Sequence, residues 1–243
     1  MATAPALQAG LLVQTDRIAY DEAWRIQREL AAARHAERIP DVIWLLEHPP
    51  VYTVGRHGTR ADLFLSDEQL ELMGARVHSV DRGGQMTWHG PGQTTAYTIL
   101  NLRPHRRVRT VVEHLVAAMV DCCTAVAVMD VRAGVDAIGV YRHGRKLGSV
   151  GVRVRHGITT HGIGLNRDPD LEWFTLMTAC GAPGVPATSI AAEGGDPDRE
   201  RVETVLATTL SERFRLMTTS ITLEELCARA EISGPAHASV ATG

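Results

Sequence analysis

Lysine is nearly missing from this chain of 243 residues: Lys146 stands alone beside 24 arginines. Arginine replaces lysine for charge, solubility and hydrogen-bond donation. It cannot lose its proton near neutral pH, because a guanidinium has a pKa above about 12 whereas burial can shift an amine down. A lone lysine is therefore either what a strong bias towards arginine leaves behind or an amine kept for proton exchange, and composition leaves both open. Other absences narrow the function classes. No apolar run approaches the ~20 residues that cross a bilayer. Residues 1–10 lack the basic start and apolar stretch of a signal peptide and the arginines of a transit peptide, so a cytoplasmic location is expected, with no membrane partner. The net charge of −3 gives no electrostatic case for nucleic acid. Four cysteines (Cys122, Cys123, Cys180, Cys227) form no CxxC pair, and eleven histidines form no HExxH pattern. Reduced thiols and no metal are expected. No internal repeat is present.

What remains is a globular composition, 44% hydrophobic and 22% charged, long enough for one sizeable core. One domain over residues 1–232 is expected, its first ten residues loose, with a small-residue disordered tail at 233–243. Hydrophobic periodicity predicts strands at 11–15, 41–48, 51–54, 77–80 and 94–102, and helices at 20–36, from Ser66, and at 109–127. Ser66 with Gln69 three residues on is a capping box. Three runs follow at 137–141, 146–154 and 158–165, separated by His143-Gly144 and His156-Gly157, which read as the turns of an antiparallel meander. Alternation along the middle run puts Lys146, Gly148, Val150 and Val152 on one face and Leu147, Ser149 and Gly151 on the other. A helical turn at 169–177, a loop at 179–184 and helices at 199–214 and 223–230 complete the chain. Without strict βαβ alternation, the pattern favours an α/β (α+β) fold with a mixed, largely antiparallel sheet flanked by helices.

Three constellations carry chemistry. Arg82-Gly83-Gly84-Gln85-Met86-Thr87-Trp88-His89-Gly90-Pro91-Gly92-Gln93 surrounds an arginine, a hydroxyl and an imidazole with glycines that let backbone approach a ligand. It matches neither a P-loop nor a GxGxxG turn. Lys146 with Gly148-Ser149-Val150-Gly151, facing His161-Gly162-Ile163-Gly164, forms alternating glycines on adjacent strands. These leave a slot for an apolar, extended ligand or, equally, room for a helix packed close on the sheet. Cys180 is the one cysteine in a Gly/Pro-rich loop rather than on an apolar helical face. A free thiol has a pKa near about 8.5, so it needs a neighbouring cation to be a thiolate at neutral pH. Lys146 is the natural candidate, the two titrating as a coupled pair.

Together these motifs resemble the lipoyl (octanoyl) transferase family, the cysteine–lysine acyltransferases of protein lipoylation, over roughly residues 45–190. Leu45-Leu-Glu-His-Pro-Pro-Val-Tyr-Thr-Val-Gly55, Arg82-Gly-Gly-x-x-Thr-Trp-His-Gly-Pro-Gly-Gln-x-Thr-x-Tyr97, Gly144-Arg-Lys-Leu-Gly-Ser149, His161-Gly-Ile-Gly-Leu-Asn166 and Ala179-Cys-Gly181 follow in the family's order. Ala179 stands where proline is frequent, and Gly164 where alanine is common. The resemblance implies the fold of biotin and lipoate protein ligase catalytic domains. It implies Cys180 as nucleophile and Lys146 as its partner, with Arg82, Gly83, Gly84, Gln85, Met86, Thr87, Trp88, His89, Ser149, Val150, Gly151, Gly162, Ile163 and Gly164 binding the acyl substrate. No cofactor is implied, since the octanoyl group arrives as a thioester on the phosphopantetheine of acyl carrier protein. The implied acceptors are lipoyl domains of 2-oxoacid dehydrogenase complexes and the glycine cleavage H protein. The basic stretch Arg103-Pro-His-Arg-Arg-Val-Arg109 is either a docking loop for the acidic carrier or a solvated helix start. The rival readings are an ATP-dependent lipoate or biotin ligase, a thioester hydrolase using Cys180 with His89 or His161, and an inactive lipoyl-domain-binding module.

Overall fold

The computed structural model describes residues 7–102, 107–134, 138–178 and 184–235. In chain order the strands are β1 (Gln8–Arg17), β2 (Asp41–Glu47), β3 (Val51–Val54), β4 (Arg76–Ser79), β5 (Met86–His89), β6 (Gln93–Ile99), β7 (Arg132–Ala133), β8 (Gly139–Arg142), β9 (Arg145–Arg155), β10 (Ile158–Asn166) and β11 (Leu216–Ser220). The helices are α1 (Tyr20–His35), α2 (Asp67–Leu72), α3 (Val108–Ala125), α4 (Arg199–Phe214) and α5 (Leu223–Ala230), with 3₁₀ turns at Arg60–Asp62 and Leu171–Leu176. The reciprocal cap expected at Ser66 is formed: its hydroxyl accepts from Gln69 N while Gln69 Oε1 accepts from Ser66 N.

Eight strands pair in the order β11-β1-β2-β6-β10-β9-β8-β7. Only β1 pairs in parallel, with β2 and with β11, and every other ladder in this sheet is antiparallel. This is the mixed, largely antiparallel sheet that the pattern predicts. The His143-Gly144 and His156-Gly157 dipeptides make the expected two-residue hairpins. His143 and Gly144 (φ 49° and 77°) join β8 to β9, and His156 and Gly157 (51° and 82°) join β9 to β10. Positive φ at both central residues matches the strand twist.

The sheet is covered on both sides. On one, Ile43, Leu45, Ala96, Ile163 and Leu165 pack under Leu115, Met119 and Cys122 of α3 and Leu206 and Leu210 of α4. On the other, Val42, Trp44, Leu46 and Tyr97 pack against Ala23, Ile26 and Leu30 of α1 and Leu226 of α5. Cys122 and Cys123 are fully buried in the first core, where burial pushes both thiols up. They are small core residues, as their helical spacing implies.

A second sheet, β4-β3-β5, is a finding that periodicity did not supply. Its outer face buries Tyr52, Met86 and Trp88 with Leu63, Leu70 and Met177. Trp88 stacks on Trp173 at 5.7 Å between ring centroids. Gly83 N donates to Val152 O at 3.0 Å, tying this small sheet to β9.

Candidate active site

The glycine-rich stretch is only partly loop. Its first residues, 82–85, are laced to the end of β3: Gly55 N donates to Gln85 O, Arg56 N to Arg82 O and His57 N to Gly84 O. The next four are strand β5, so side chains alternate. Thr87 and His89 turn towards the main sheet, whereas Met86 and Trp88 turn into the small sheet's outer core. Arg82 is buried (5% exposed) and grips β3, giving Nη2 to Thr53 O at 2.7 Å and to Thr53 Oγ1 at 2.8 Å.

Between the two sheets lies a narrow cavity of about 40 Å³. Its walls are Arg82, Gly84, Thr87 and His89 from the first motif, Ser149, Val150 and Gly151 from β9, and Gly162, Ile163 and Gly164 from β10. Tyr20, Thr95, Tyr97 and His161 complete it. Three stretches separated by up to 80 residues thus converge on one space. Gly83, Gln85, Met86 and Trp88 support this wall without lining the cavity. A second cavity of about 20 Å³ shares Thr87 and Ser149 with the first and adds Lys146, Asn166, Phe174, Met177, Val185 and Ala187. A wider groove of about 990 Å³ beside β1, α4 and α5 contains none of the residues that the motifs single out.

Lys146 shares its face with Ser149 rather than with Gly148 and Val150, and a β-bulge is the reason. Val140 pairs with Gly148 but Tyr141 pairs with Lys146, so Leu147 is an extra residue on β9. One inserted residue inverts the alternation. Leu147 drops fully buried into the core below α3. Gly148 faces the same way, since a Cβ there would sit 2.9 Å from Met119 Sδ. Of the two uses left open for the β9 glycines, close helix packing applies to Gly148. Lys146 itself is 8% exposed, with Nζ 5.6 Å from the Tyr141 ring centroid.

Past Gly148, β10 no longer flanks β9, and residues 186–188 take its place. Lys146 N donates to Pro186 O and Thr188 N to Lys146 O, at 2.8 and 2.9 Å. On the other side of the cavity Thr178 N is pinned to Asp62 O at 2.7 Å. Cys180 lies outside the described residues, in the connection between Met177 and Val185, both of which wall the Lys146 cavity. Arg103 to Arg106 also lie outside them.

The opposite end of the larger cavity is a cluster of rings that the motifs do not announce. Tyr20 packs against His48, His78 and His89 with centroids 5.1–5.9 Å apart. His48 Nδ1–H donates to Ile18 O, leaving Nε2 to accept from Tyr97 OH, both at 2.7 Å. His89 Nδ1–H donates to Gln93 Oε1 at 2.6 Å, and the Gln93 amide donates to Asn166 Oδ1. His161 Nε2–H donates to Asp81 Oδ1 at 2.9 Å, Asp81 also pairing with Arg153. These tautomers follow from the partners. Burial drives all three imidazoles towards the neutral form: His48 down to about 4, His161 down to about 3 with Arg82 and Arg153 adding to the effect, and His89 well below the usual histidine range.

The signature residues thus lie around a common space, and comparison with known proteins places them in a family. Residues 19–211 match the lipoyl protein ligase A/B catalytic domain. The chain belongs to this family. It is 40% identical to an octanoyltransferase of Thiobacillus denitrificans over 81% of its own length and 87% of that protein's. It is likewise 40% identical to an octanoyltransferase of Acidothermus cellulolyticus, over 73% of this chain and 79% of that one. In fold, it superposes on a bi-partite lipoate protein ligase of Thermoplasma acidophilum with a TM-score of 0.71, at 12% identity, covering 92% of this chain and 91% of that one. A biotin protein ligase of Aquifex aeolicus gives 0.51, at 13% identity, over 86% and 71%. The fold is therefore the one shared by lipoate and biotin ligases, as the resemblance implies.

Proposed function

We propose that this protein transfers an octanoyl group from acyl carrier protein to a lysine of lipoyl domains by way of a thioester on Cys180. The observation that carries the reading is the cavity pair: a slim, largely apolar slot that shares its Thr87 and Ser149 walls with a smaller cavity lined by the buried, solitary lysine. Relatives about 40% identical over most of the chain bear the name octanoyltransferase, which supports the same acyl group and the lipoyl acceptor. A narrow slot also favours a linear chain over a fused ring system.

Cys180 follows three residues after Met177, which walls the Lys146 cavity. In the first half-reaction the Cys180 thiolate attacks the thioester carbonyl. The bond to the pantetheine sulfur breaks, and the departing thiolate takes up a proton. In the second, the lysine ε-amine of the acceptor attacks the acyl-enzyme, forming an amide and returning the thiolate. Lys146 as ammonium stabilises the thiolate, and as amine it accepts the proton lost by the incoming nucleophile. Backbone N–H groups of the glycine-rich walls stabilise the tetrahedral oxyanion. The thioester is already activated, so no nucleotide is consumed.

Intact-mass spectrometry after incubation with octanoyl-carrier protein tests this. An octanoyl adduct should form without ATP, pass to an added lipoyl domain, and be absent from Cys180→Ser. Transfer from free octanoate that requires ATP would replace the reading with a ligase. Release of free octanoate despite a lipoyl acceptor would replace it with a hydrolase.

A further inference from the structure

His161 breaks the rule of its own strand. Along β10, Ile163 and Leu165 have the same parity as His161, and both point into the core below α3 and α4. Regular alternation would send His161 there too. Instead its φ is +61°, a left-handed conformation inside a strand, and its ring emerges on the opposite face. There it meets Tyr20 OH (3.4 Å to Nδ1), Asp81 and the face of α1 at Trp24. The backbone N–H freed by the twist is taken by Gln27 Oε1 of α1 at 2.8 Å. A residue held in a sparsely populated conformation by several independent contacts points to a role at the site it faces.

The register of the sheet shows where that site is. Gly164 pairs with Ser149, Gly162 with Gly151 and His161 with Val152. Ser149 belongs to both cavities and so marks the Lys146 end of the slot. His161, three residues further along the ladder, stands at the other end beside Tyr20. At about 3.4 Å per residue this separation is about 10 Å. An extended eight-carbon chain, advancing about 1.25 Å per bond, spans about 9 Å.

The geometry points to the His161 imidazole, braced by Tyr20 and Asp81, as the end stop that sets acyl-chain length. This rests on the acyl-transfer reading above and deepens it. The chain enters at Lys146, runs between the glycines of β9 and β10, and its terminal methyl meets a ring that cannot withdraw, because Asp81 and Tyr20 hold both nitrogens. A twelve-carbon chain, about 5 Å longer by the same rise per bond, collides with it.

The test uses an equimolar mixture of hexanoyl-, octanoyl-, decanoyl- and dodecanoyl-carrier protein, with the adducts resolved by intact mass. Two variants keep the left-handed backbone accessible, His161→Gly and His161→Asn. Wild type should favour the octanoyl adduct, and both variants should raise the ratios of decanoyl and dodecanoyl to octanoyl adducts by about tenfold, the range expected when a pocket gains room for methylenes. A uniform fall at all lengths means a purely structural role and overturns the proposal, as does an unchanged profile. Wild type that takes no acyl group from any carrier overturns the acyl-transfer reading itself, an outcome distinct from either.

Discussion

Acid should unfold this protein unusually early, because three imidazoles are locked neutral inside it. His48, His89 and His161 are at most 8% exposed, and in His48 and His161 the acceptor nitrogens are taken by the hydroxyls of Tyr97 and Tyr20. In the unfolded chain each titrates near 6.5; in the native state His48 stays neutral down to about 4, His161 to about 3, and His89 is likewise held far down. Below pH 6.5 the unfolded state therefore binds protons that the native state does not, and stability falls with pH. Between pH 7 and pH 5 a histidine that stays neutral in the native state removes about 2 kcal/mol. The sites act in the same direction and together remove several kcal/mol, a large part of the stability of a typical domain. Below about pH 4 the His48 contribution levels off as the native ring begins to protonate. Ordinary carboxylates titrate below the pH 5–7 window and do not mask the effect. Urea unfolding at pH 7, 6 and 5, followed by tryptophan fluorescence and far-UV circular dichroism, measures the loss directly. His48→Gln, whatever its own stability, should show a loss about one third smaller over the same interval. A wild-type loss below about 2 kcal/mol, or one that His48→Gln leaves unchanged, would refute the reasoning.

Lys146→Arg keeps the charge but removes the exchangeable proton, so transfer to the lipoyl domain should fall by at least about a hundredfold, with the adduct on Cys180 less affected than its discharge. Single-turnover mass spectrometry separates the two half-reactions, and near-wild-type discharge would mean that Lys146 acts as a fixed charge. Gly162→Ala places a Cβ 2.1 Å from the Ala96 carbonyl oxygen in the middle of the sheet, where backbone cannot yield. It should destabilise the fold by about 3 kcal/mol in chemical denaturation, and a change under 1 kcal/mol would mean that the β6–β10 spacing is softer than it stands.

Much of the architecture was legible because its signals are local. The helix predicted at 109–127 is α3 (Val108–Ala125), and the meander with its two His-Gly turns stands where periodicity put it. What escaped prediction is non-local. Strand β5 hides among glycines, and its partner β3 lies some 35 residues earlier, so nothing within Met86–His89 alone announces pairing. Strand β11 is short and pairs in parallel with the distant β1. The face of Lys146 was misread because a period of two cannot foresee an inserted residue, and Leu147 resembles any other strand residue until β8 is laid beside it.

The His-Gly dipeptide shows how a local signal can be present and still mislead. It occurs five times, and at three of these sites, 143–144, 156–157 and 161–162, the histidine adopts a positive φ, 49°, 51° and 61°. Histidine is among the non-glycine residues enriched in the left-handed region, and glycine after it relieves crowding. At the first two sites strand pairing on both sides turns that tendency into a hairpin. At the third the chain does not reverse, because Gly162 goes on pairing with Tyr97 and Gly151. The same local preference then has one remaining outlet, which is to rotate a single side chain across the sheet. Tyr20, Asp81 and Gln27, from three separate stretches, are what hold it there. The dipeptide supplies the backbone permission and the tertiary structure supplies the use, so the ring at the end of the slot becomes legible only when both are in view.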